Sequence, residues 1–150
     1  MIQGKWFAPG EVLTDDLRSV YSAVFGCPCA AADPISWHAL ILMDNKPVAS
    51  GRIWWQEGAF WLGDIGVIPS ARGLRLGDLA LRLLLFKAQS HAAREIRLCC
   101  PESVTGFFSR MGFRPDSVSN GNQVEMYLSG DKISLDSCSG CNRQNCPNRK

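Results

Sequence analysis

The run DIGVIPSARGLRLGDLALRLLLF, residues 64–86, joins a strand, a turn and a helix. It passes from a glycine-punctuated apolar strand through Pro69 and Ser70 into a turn of Arg72, Gly73, Leu74, Arg75, Leu76, Gly77 and Asp78, and then into an apolar-rich helix. A helix start leaves its first backbone N–H groups without partners inside the helix, and the helix dipole adds partial positive charge at that end. A glycine-bearing turn placed there makes a seat for a pyrophosphate, because glycine lets the anion approach the backbone closely.

Residues 59–68 read as the strand leading in. Residues 76–92 read as the helix leading out, with Leu76, Leu79, Ala80, Leu83 and Leu84 on one face. Upstream, residues 37–43 and 48–55 are strand-forming runs on either side of Asp44, Asn45, Lys46 and Pro47. A second turn at Gln56, Glu57 and Gly58 then makes three successive antiparallel strands. Residues 2–7 form a first strand, and Val12, Leu13, Leu17, Val20, Tyr21 and Val24 at helical spacing place a helix over residues 11–25. Residues 26–34, broken by Gly26, Cys27, Pro28 and Cys29, are a loop facing substrate. Downstream come a short strand at 95–100, a short helix at 102–110 and a closing strand at 123–128. The sum is an α+β, or mixed α/β, domain over residues 1–130 with six or seven strands and three main helices. Residues 131–150 are a cysteine-rich tail too small to bury a core of its own.

Composition narrows the function. At 150 residues, 46% hydrophobic and 20% charged, the chain fits one globular domain with a real core. A net charge of +2 is too mild for nucleic acid, which asks for a clustered basic face. The longest apolar runs, at residues 39–43 and 83–86, fall far short of the roughly 20 residues that cross a bilayer, so no membrane partner is expected. The first residues lack a secretory pattern, which predicts a cytoplasmic protein, and seven cysteines in that setting predict reduced thiols or metal ligands over disulfides.

Residues 72–77, RGLRLG, set between the strand exit Val67-Ile68-Pro69 and the helix, resemble the R/Q-x-x-G-x-G/A signature of the GNAT superfamily of acyl-CoA N-acyltransferases. The run FFSRMGF at residues 107–113 resembles the family's second, aromatic-x-x-x-Gly-Phe motif, and the element order agrees over residues 2–128. The resemblance implies a mostly antiparallel twisted sheet with a central splayed parallel pair, formed by residues 59–68 and 95–100. Acyl-CoA would lie in that gap. Backbone groups of Ile65 and Val67 would hold the pantetheine arm, and the amides of residues 74–78 the pyrophosphate, with Arg72 or Arg75 adding charge. The helix carrying Phe108 would cover the thioester. Gly63 and Gly66 fit either a bulge that opens the gap or close packing against a tryptophan.

This sequence departs from the family pattern in places. Arg75 stands where the signature has glycine, Asp78 puts a carboxylate near the phosphates, Pro101 replaces a frequent asparagine, and Phe108 replaces the tyrosine that protonates the departing thiolate. The proton donor is then Ser109, Tyr127, a thiol or water, and the nearest carboxylates for a base are Asp64 and Glu57. The implied reaction is acetyl transfer from acetyl-CoA, as co-substrate, to a primary amine on a small molecule or peptide, by direct attack in a ternary complex. Two other readings stay open: an acyl-CoA-binding or regulatory module without catalysis, and a metal or redox sensor built on the tail. In that tail Cys138, Cys141 and Cys146 have zinc-ligand spacing, with a fourth ligand such as Cys27 or Cys29 from elsewhere; an iron–sulfur cluster or free thiols fit the same count. Oligomeric state is open, a homodimer included.

Overall fold

Seven strands form one sheet in the computed structural model, which describes residues 1–12, 14–26, 35–118 and 123–133. They are β1 (Ile2–Phe7), β2 (Trp37–Met43), β3 (Lys46–Gln56), β4 (Ala59–Val67), β5 (Glu95–Pro101), β6 (Arg114–Val118) and β7 (Gln123–Ser129), in spatial order β1-β2-β3-β4-β5-β7-β6. Every neighbouring pair is antiparallel except β4 and β5. Three helices accompany the sheet: α1 (Asp15–Phe25), α2 (Leu76–Ser90) and α3 (Thr105–Ser109).

Turn chemistry sets the first four strands in line. Asp44 and Asn45 both have positive φ, 52° and 67°, as do Glu57 and Gly58, 52° and 79°. Two left-handed residues make the mirror-image turn whose twist matches a hairpin. The first turn is therefore tighter than the sequence suggests, and Lys46 and Pro47 belong to β3. Pro47 cannot donate to a ladder, and the register slips beside it, between Ile41 and Leu42.

The helices pack on opposite faces because β2 and β3 are apolar on both. Helix α1 buries Leu17, Val20 and Tyr21 against Phe7 and Leu40. Helix α2 buries Leu81, Leu84, Leu85 and Ala88 against Ala39, Ile53, Leu62 and Ile96, and Leu76 and Ala80 against Ile41 and Ala49. The buried stripe of α2 is wider than the one read from spacing, so Leu79 and Leu83 lie at its half-buried margin. Helix α1 starts at Asp15, later than expected; two acids in its first turn suit the dipole, while Val12 is 84% exposed and Leu13 lies outside the described residues. β6 is the strand the sequence reading lacks. It contains Pro115 and sits at the sheet edge with a register slip of its own, the setting in which proline is tolerated.

Candidate active site

The parallel pair is zipped for three rungs only: Phe60 with Ile96, Trp61 with Arg97, and Leu62 with Leu98. Past that point β4 stays with β3 as far as Val67, and β5 stays with β7 as far as Pro101. A gap therefore opens between residues 63–67 and 99–101. Its local cause is one extra residue in β4. Between the rungs Ser50–Gly66 and Arg52–Gly63, β3 has Gly51 alone while β4 has Asp64 and Ile65. Asp64 takes a left-handed φ of 52°, the mark of a bulge that bends its strand. The flanking glycines give the room: a Cβ on Gly63 would lie 3.0 Å from the Trp54 ring, and one on Gly66 would lie 2.6 Å from Val24 of α1. The glycines flank a bulge, and the expected packing against a tryptophan occurs at Gly63 alone, since the neighbours of Gly66 are Val24 and Phe25.

Beyond β4 a short 3-10 turn at Pro69–Ala71 leads to the start of α2. Arg72 ties this turn to the strand, its Nε donating to the Val67 carbonyl at 3.1 Å. Gly73 has φ 91°, and Arg75, the N-cap of α2, has φ 60° and ψ 27°. A side chain in that conformation costs about 1–2 kcal/mol, which explains why glycine suits this position in the signature. No side chain caps α2. Its first backbone bond runs from Leu79 N to Arg75 O, so the amides of Leu76, Gly77 and Asp78 precede the ladder. The Asp78 carboxylate is taken up by Arg82 one turn later, Nε to Oδ2 at 2.9 Å, so it faces the turn as half of an ion pair and not as a bare anion.

Here a cavity of about 310 Å³ lies between the start of α2 and helix α3. Of the residues singled out in the sequence, Val67, Arg72, Gly73, Arg75, Leu76, Gly77 and Asp78 line it. Ile65 instead is half-buried against the core, Leu74 is 57% exposed, and Phe108 is buried with its ring against Phe107 and Phe113. The aromatic wall is Phe107, and Arg110 stands over that ring at 5.9 Å and lines the cavity with it. Neither was found from sequence, although their i, i+3 spacing in FFSR puts them on one helical face. Three guanidinium groups, Arg72, Arg75 and Arg110, thus border a space whose one acid is already paired.

The expected catalytic groups are more scattered. Asp64 points to Arg52, Oδ2 to Nε at 2.8 Å, and Glu57 sits exposed in the β3–β4 turn. Ser109 is exposed on α3. Tyr127 shares a rung with Arg97, itself opposite Trp61 in the zipped stretch, and lies 5.7 Å from the Arg97 guanidinium. That guanidinium is held by Asp116, Glu95 and Glu125, whose hydrogen bonds and charge push its proton affinity up against the opposing effect of burial. Cys99 is exposed on β5 one residue past the last shared rung, and burial followed by the Glu125 charge pushes its thiol up. His38 is buried against the Tyr21 hydroxyl at 2.8 Å, a core partner and not a gap residue. Among the described residues no group of three or more His, Cys, Asp or Glu could hold a metal, and no helix is long and apolar enough to cross a membrane. Cys27, Cys29, Cys138, Cys141 and Cys146 lie outside the described residues.

Acyl-CoA-dependent N-acyl transfer is the chemistry that a splayed parallel pair beside an uncapped, arginine-rimmed helix start serves. Residues 6–113 match the Acetyltransferase (GNAT) family, and the chain belongs to it. No curated protein matches the sequence. Among solved structures, ElaA from Escherichia coli is similar at 20% identity and a TM-score of 0.71, over 85% of this chain and 99% of that one. An acyl-CoA N-acyltransferase from Pseudomonas aeruginosa is similar at 17% identity and a TM-score of 0.73, over 86% and 100%. A Bacillus anthracis structure described as a streptothricin acetyltransferase in complex with acetyl coenzyme A is similar at 16% identity and a TM-score of 0.57, over 65% and 64%.

Proposed function

We propose that the protein transfers an acetyl group from acetyl-CoA to a primary amine on a small molecule or peptide, by direct attack within a ternary complex. The observation that carries this reading is the cavity at the uncapped start of α2, rimmed by three arginines and continuous in sequence with the unzipped half of β4. The CoA diphosphate sits on the amides of Leu76, Gly77 and Asp78, with Arg72, Arg75 and Arg110 supplying charge-assisted contacts. The pantetheine arm runs along Ile65 and Val67, where β4 has left β5, and hydrogen-bonds their backbone as a strand would. Acetyl as the acyl group is supported by the acetyl coenzyme A bound in the similar Bacillus anthracis structure.

The amine attacks in its neutral form, the thioester carbon becomes tetrahedral, the new ammonium nitrogen gives up one proton to water, and the collapse breaks the C–S bond and expels the CoA thiolate. Phe108 has no hydroxyl to protonate that thiolate. Cys99, just past the last shared rung, Ser109, Tyr127 and water are the candidate donors. Incubation with acetyl-CoA and a panel of primary amines tests the reading through release of free thiol. Amine-dependent release supports it. Binding of acetyl-CoA with no release from any amine would instead favour a binding module.

A further inference from the structure

Asp64 is a non-glycine residue held at φ 52° inside a strand, a conformation that its Cβ disfavours. The bulge it makes flips the side-chain alternation of everything after it, so the gap depends on that residue keeping its place. Its partner explains how it is kept. Arg52 belongs to the last β3–β4 rung before the bulge, opposite Gly63, and its Nε meets the Asp64 carboxylate at 2.8 Å. The Arg52 guanidinium lies 4.3 Å above the Trp54 ring, and Trp54 fills the space over Gly63. Only 20% of the Arg52 side chain and 27% of the Asp64 side chain is exposed. Ring, guanidinium, carboxylate and glycine therefore tie the extra residue of β4 to the rung below it.

We infer that Arg52 is a positioning residue: through Asp64 it pins the β4 bulge, and with it the gap that receives acyl-CoA, so that Asp64 acts as a strut and not as the general base. This rests on the acyl-CoA reading given above. It sets apart two roles that a carboxylate on this strand could play. A base is needed for turnover and not for binding CoA; a strut is needed for binding CoA and leaves the pH profile alone.

The test measures CoA affinity by calorimetry, and kcat and KM for acetyl-CoA across pH, for the wild type, Arg52→Ala, Asp64→Asn, Asp64→Gly and the double variant Arg52→Ala/Asp64→Gly. Arg52→Ala and Asp64→Asn should each weaken CoA about tenfold, as expected if the open gap falls to a tenth of the population, and should raise KM more than they lower kcat. Glycine takes the left-handed conformation without steric cost, so the double variant should return to within about threefold of the wild type. The pH profile of kcat should not move. Where Arg52→Ala does not fold, the near-isosteric Asp64→Asn cuts the same pair. Unchanged CoA affinity in both single variants overturns the inference, as does loss of kcat with its ascending pH limb at normal CoA affinity. A wild type that binds no CoA overturns this inference and the proposed function together, whereas binding that is indifferent to the pair overturns this inference alone.

Discussion

The two halves of β4 are one strand doing two jobs. Residues 60–62 are zipped between β3 and β5, with Phe60 and Leu62 buried in the core under α2. Residues 63–67 have lost β5, and past the bulge Gly66 and Val67 keep β3 and lead straight into the arginine turn. Hydrophobicity does not separate the halves, since Ile65 and Val67 are as apolar as Phe60 and Leu62. What separates them is a single inserted residue with two glycines beside it. One extra residue in one strand thus ends the β4–β5 pairing and opens a gap in the sheet, without a dedicated loop.

Substitutions in the two halves should therefore fail in different ways. Leu62→Ala in the zipped half empties a fully packed position and should cost about 2–5 kcal/mol of stability, read by denaturant unfolding, while the protein that remains folded keeps its CoA affinity. Gly66→Ala in the open half drives a methyl group to 2.6 Å from Val24, so α1 must shift. It should cost about 1–3 kcal/mol by overpacking, and it should also disturb CoA binding. A Gly66→Ala protein with unchanged stability and unchanged binding would break the contrast. Arg75→Gly sharpens it in the other direction: releasing a left-handed arginine should change stability by less than about 1 kcal/mol, on the stabilising side, while loss of the charge weakens CoA. Thermal melts and calorimetry on the same sample would show the two moving oppositely. The smallest effect is expected at Asp78→Asn, where the one-turn pair with Arg82 contributes about 0.3–0.5 kcal/mol.

Much of this was legible in residues 64–86, because glycine, proline and arginine punctuate a strand, a turn and a helix at fixed offsets. The placement of the cavity followed from that punctuation. Edge strand β6 was not legible, since Pro115 contradicts a strand locally and only its pairing with β7 rescues it. Phe107 and Arg110 were not legible as cavity residues, since two adjacent phenylalanines look alike in the sequence and only the packing puts Phe108 in the core and Phe107 on the cavity. The Asp78 carboxylate reads as repulsive toward phosphate until Arg82 is seen on it. The Arg52–Asp64 pair depends on a register slip that no local pattern fixes, so a base and a strut look alike in the sequence. Motifs fix positions along the chain; which charges neutralise one another is decided by register.

Titration of acetyl-CoA into the wild type and into Gly77→Glu, followed by calorimetry, tests whether the CoA diphosphate sits at the start of α2. A Cβ at residue 77 would lie 3.7 Å from Phe107 and Val67, so the backbone accepts a side chain there, while the added carboxylate enters the cavity where the diphosphate should sit. Binding by the wild type, no detectable heat from Gly77→Glu, and closely similar melting curves for both are expected. No heat from the wild type with any CoA thioester, or equal binding by the two proteins, would contradict that placement.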